Sequence, residues 1–71
     1  MSRTVSIILC SHNRADHLEK TLQSLRQVVV PEGWSVELLL VDNASTDATP
    51  EVMRAFEHPR MDVRALREEK Q

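Results

Sequence analysis

Apolar positions along the chain fall into five blocks, and the spacing inside each block predicts its element. Val5 to Cys10 (VSIILC) is a short apolar run with a β-branched start and polar borders, which reads as a strand. Ser11-His12-Asn13-Arg14 is a polar turn. Asn13 is placed to cap the next helix, and Asp16 stands in that helix's first turn, at the positive end of the dipole. From Ala15 to Gln27, Leu18, Leu22, Leu25 and then Val29 recur at helical spacing and form one stripe. Three β-branched residues, Val28 to Val30, weaken the helix end, and Pro31 stops it. Val36 to Val41 (VELLLV) predicts a second strand, buried between helices on both faces, because its apolar run is nearly continuous rather than alternating. Thr49-Pro50-Glu51 reads as a helix start with Thr49 as cap, and His58-Pro59 as its end. Met61 to Leu66 alternates and predicts a third strand near an edge, followed by a charged, solvated tail from Arg67.

The predicted fold is α/β: a β-α-β-α-β unit forming a three-stranded parallel sheet with helices packed on it. Its strands lie at about residues 5–10, 36–41 and 61–66, and its helices at about 15–27 and 50–57. Residues 1–71 make one small domain, the first half of a doubly wound sheet. In such sheets ligands sit beyond the carboxyl ends of the strands. The second strand ends there in Asp42-Asn43, and small polar residues follow (ASTD). A carboxylate and an amide at that edge can offer acceptors and a donor to a polar small molecule, above all a nucleotide.

Composition narrows the ligand class. The formal charge is −2 with 28% charged residues, so there is no strong pull toward nucleic acid or anionic lipid. Aromatics are only 3%, which removes a base-stacking platform for single strands. The single glycine, Gly33, excludes a Gly-rich phosphate loop. One cysteine allows no internal disulfide and fits a reducing cytosol. The apolar runs are too short to span a membrane. At 71 residues the chain buries only about 60% of its unfolded surface, so stability is marginal.

VSIILCSHNRADHLEKTLQSL followed by VELLLVDNASTDAT resembles the amino-terminal end of the family 2 glycosyltransferases, which have the GT-A fold. The resemblance is close to about Thr49 and weaker afterwards. It implies a Rossmann-like nucleotide-sugar-binding domain and a donor site. In that site Cys10 and Ser11 approach the base through backbone groups, and His12 stands where the family usually has a Tyr that packs on the base. Asn13 and Arg14 hold the turn, and Asp42 and Asn43 face the nucleoside. Many members have two acids where this chain has Asp42 and Asn43. Ser45, Thr46 and Asp47 shape the loop and cap the helix. The implied partners are a nucleoside diphosphate sugar and an acceptor glycan, lipid or other hydroxyl compound. The implied cofactor is Mg²⁺ or Mn²⁺, held in the intact enzyme by an Asp-x-Asp motif. No Asp-x-Asp occurs in this sequence, so those ligands and the catalytic base are expected outside it. The chain is thus expected to be a fragment of a cytoplasmic enzyme, inactive alone, that reaches the membrane surface through other segments.

Plainer readings stand beside these. His17 and His58 read as surface residues, and Cys10 as a buried strand-end residue rather than a nucleophile. A Cys10/His12/His17 metal cluster has poor spacing. LLLVDN also resembles a receiver-like signalling module, although the first strand here ends without an acid. A third reading is an inactive fragment that self-associates through two exposed sheet edges.

Overall fold

The computed structural model describes residues 3–69. Strand β1 runs Arg3–Ser11, helix α1 Ala15–Arg26, strand β2 Trp34–Asn43, helix α2 Thr49–Ala55 and strand β3 Met61–Glu68. The sheet order is β1-β2-β3, and both pairings are parallel. β2 is central, with Leu38 opposite Ile7 on one side and Val63 on the other.

The core forms on one face of this sheet. Leu38 and Leu40 are fully buried there, with Val36, Ile7, Leu9 and Val63 beside them. Leu18 and Leu22 of α1, Met53 of α2, and Phe56 just after it close over them. α1 and α2 touch each other. Two successive right-handed crossovers in the same direction put both helices on one side. The expectation of helices on both faces of β2 is therefore corrected among the described residues. Leu39 and Val41, the alternate positions, face the other way and are half-buried. Neighbouring strands shield them laterally, whereas Ile8 is 60% and Leu66 51% exposed on the flanking strands of that open face.

Three local readings also change. Asn13 does not cap α1: the N-cap residue is Arg14, with no side-chain cap, and Asn13 lies in the left-handed region at φ 49°. Thr49 is the first residue of α2 rather than its cap, which is Ala48. Both roles pass to Asp47, whose carboxylate accepts N–H bonds from Ala15 at 3.2 Å and from Thr49 at 2.9 Å. Arg67 and Glu68 belong to β3, not to a solvated tail, because the ladder with Asp42 and Asn43 continues through them.

His58 is buried, against the expectation of a surface residue. Its Nδ1 accepts the Arg60 N–H at 3.0 Å, so Nε2 carries the proton and donates to the Val28 carbonyl at 2.9 Å. The ring staples the segment after α1 to the turn before β3. Gly33 meets its turn with φ 86°, a conformation that a Cβ would oppose.

Candidate functional site at the carboxyl rim of the sheet

Parallel pairing brings the ends of β1 and β2 to one rim, with Ser11 opposite Asp42 and Asp42 opposite Arg67. Two polar turns follow, residues 12–14 and 44–48. Strand parity then sorts the predicted residues. Ser11 and Asp42 lie on the helix-covered side, whereas Cys10 and Asn43 lie on the open side. Cys10 is exposed there, not buried as expected.

Asp42 is 2% exposed. Its Oδ1 accepts the Ser45 N–H at 3.2 Å, and its Oδ2 accepts from Arg67 Nη1 at 2.6 Å. Arg67 also donates Nη2 to the Ser45 carbonyl at 3.3 Å and Nε to Glu69 at 2.7 Å. Hydrogen bonding to Glu69, and after it the charges of Glu69 and Asp42, hold the Arg67 pKa above its ordinary value. Glu69 is 73% exposed in its side chain, where water screens the pair, so the bond to Asp42 orders the strand end. Both Asp42 oxygens thus serve the protein. The sequence reading missed Arg67, although carrying the inward column of Met61, Val63 and Ala65 one step further would have found it.

Asn13 ties the two turns together. Its backbone N–H donates to Ser45 Oγ at 2.9 Å. Its Oδ1 accepts from the N–H groups of Thr46 at 2.7 Å and Asp47 at 3.3 Å. That fixes the amide's orientation and leaves Nδ2 facing His12 Nε2 at 3.3 Å. His12 Nδ1 in turn donates to the Asn43 carbonyl at 2.5 Å. The network assigns one tautomer, Nδ1–H with Nε2 as acceptor, and holds the exposed ring beside Asn43. The Asn43 carboxamide has no protein partner among the described residues. Asp47 is held below its ordinary pKa of 3.8, first by the Thr49 hydroxyl and then by the Thr49 and Ala15 N–H groups.

Two of the hollows nearby take in predicted strand-end residues. One of about 290 Å³ lies between α2 and the end of β3 and is lined by Asp42, Ser45, Met53 and Arg67 among others. The other, about 530 Å³, lies under the first turn and includes Cys10, Ser11, His12, Arg14 and His17. The six predicted residues therefore share a rim but not a single hollow. Among the described residues, no group of three or more His, Cys, Asp or Glu side chains is placed to hold a metal. A receiver-like reading needs an open acceptor carboxylate, and Asp42 has none to offer.

The family model described as Glycosyl transferase family 2 matches residues 6–71. The succinoglycan biosynthesis protein ExoO of Rhizobium meliloti (strain 1021) is 34% identical over 62 residues, covering 87% of this chain and 17% of that protein. The glycosyltransferase AglE of Haloferax volcanii is 36% identical over 52 residues, covering 73% of this chain and 17% of that protein. The chain thus spans 17% of the length of these curated relatives. No solved structure matches the chain.

Proposed function

The chain belongs to glycosyl transferase family 2, and from that premise we propose that it carries part of a nucleotide-sugar donor site. The longer protein would pass a sugar from a nucleoside diphosphate sugar to the hydroxyl of a glycan, lipid or other acceptor. The observation that carries this reading is the joined rim. Ser11 and Asp42 are direct neighbours across β1 and β2, and Asn13 bonds to Ser45, Thr46 and Asp47 of the facing turn.

On this reading the rim residues divide their work. Asp42, locked to Arg67 and Ser45, anchors the loop and does not read the ligand. His12 and Asn43 are the base contacts: one offers a ring held in place, the other a carboxamide without a partner among the described residues. Cys10 and Ser11 contribute backbone groups at the end of an edge strand. A hard divalent cation suits a diphosphate through oxygen ligands. Its acids would come from outside this chain.

Titration of the ¹⁵N-labelled chain with UDP, GDP and dTDP tests the site. The expected shifts centre on residues 10–13 and on Asn43, including its side-chain amide. Asn43→Ala is expected to weaken binding about tenfold, the worth of one or two neutral hydrogen bonds. Asp42→Ala is expected to lose cooperative folding instead. Absence of shifts at the rim with every nucleotide at millimolar concentration would overturn the reading.

A further inference from the structure

On the donor-site reading, Asn43 would meet the base with a carboxamide, and that changes which bases the site can accept. We propose that Asn43 makes the site tolerant of both polarities of pyrimidine edge, the ring N–H of uracil and the bare ring nitrogen of cytosine. This rests on the donor-site reading above and concerns only what that site selects.

The two neighbouring side chains at the end of β2 differ in what they can offer. Asp42 would present acceptors alone, but both its oxygens are occupied and it is 2% exposed. Asn43, one residue on, points to the opposite side of the sheet by strand parity. Its backbone carbonyl is held by His12, while its carboxamide makes no bond within the described residues. An amide that the protein does not orient can rotate by half a turn. It carries one acceptor and two N–H donors.

Uracil presents a ring N–H donor beside a carbonyl acceptor. The Asn43 Oδ1 can accept that N–H while Nδ2 donates to the carbonyl. Cytosine presents an amino donor beside a ring-nitrogen acceptor. The flipped amide meets it equally, with Oδ1 taking the amino N–H and Nδ2 donating to the ring nitrogen. A carboxylate at the same position has acceptors only. It would face the cytosine ring nitrogen lone pair to lone pair, and it would favour the ring N–H of uracil through a charge-assisted bond. Uracil and cytosine have nearly the same outline, so ring size and stacking on His12 do not separate them. The polarity of the edge is the variable.

The test compares UDP and CDP by NMR titration of the whole chain at neutral pH, wild type against Asn43→Asp. For the wild type, the two dissociation constants are expected to agree within about threefold, because each base meets the same pair of neutral bonds. The Asn43 side-chain amide resonances should shift with both. In Asn43→Asp, with the backbone amide spectrum otherwise retained, CDP is expected to lose at least about tenfold relative to UDP, the size of one mispaired edge. Wild-type preference for UDP over CDP of tenfold or more overturns the inference while leaving the donor site standing. So does an unchanged ratio in Asn43→Asp. Failure of both nucleotides to bind the wild type overturns the inference, and the donor site falls with it only if GDP and dTDP fail as well.

Discussion

At the scale of single residues, neighbours in sequence have opposite assignments. Asp42 and Asn43 look alike in a sequence, since each is a short polar side chain at a strand end. One is turned inward and bonded to Arg67 and Ser45, and the other is turned outward with its amide unbonded among the described residues. Asp47 is a third case. Its carboxylate joins the starts of α1 and α2 through Ala15 and Thr49 and is held below its ordinary pKa. A carboxyl whose folded pKa is depressed stabilises the fold above its unfolded value, and that contribution is lost as pH falls through the folded value. Stability should therefore decline in acid from about pH 4 downward, starting near the ordinary value of 3.8. Asp47→Asn should be less stable at neutral pH and should show a shallower decline across that acid range. Urea unfolding followed at a series of pH values checks this, and parallel curves for the two proteins would contradict it.

At the scale of elements, the strands and α1 were legible because each is coded locally, by an apolar run or by a stripe at helical spacing. The strands run longer than predicted, by one or two residues at an end. Arg67 and Glu68 stay in β3 because the ladder to β2 and the Asp42 carboxylate both hold them, which a local charge count does not register. His58 was misread for the same reason. Its place after a helix and before a proline suggested a surface turn, but its two partners, Val28 and Arg60, come from both sides of the fold's closure. His58→Ala should cost about 1–3 kcal/mol, since it orphans a carbonyl and an N–H in a part-buried site. His58→Gln, which can replace at least one of these bonds, should recover part of the loss. Denaturant midpoints for the three proteins decide the matter, and a His58→Ala protein as stable as the parent would remove the staple.

At the scale of the whole molecule, the described residues form two layers, helices on one side of the sheet and none on the other. Ile8, Leu39, Val41 and Leu66 make an apolar patch on the open face, and β1 and β3 are both edge strands. Exposed edges and patches of this kind favour association. The mass of the chain by sedimentation is expected to rise from micromolar to millimolar concentration, and Ile8→Lys with Leu66→Lys should suppress the rise. A single monomeric species across that range would contradict the expectation. No described helix is long and apolar enough to cross a membrane. The order of apolar and polar residues by itself determined the β-α-β-α-β unit, the parallel sheet and the rim where polar residues gather. These follow from backbone periodicity and from helical crossovers between strands. Only the tertiary structure decided which rim side chains are tied up within the protein. The deciding partners, Arg67 for Asp42 and Ser45 for Asn13, lie 25 and 32 residues away along the chain, and hydrogen bonds across such separations exist only once the strands have paired.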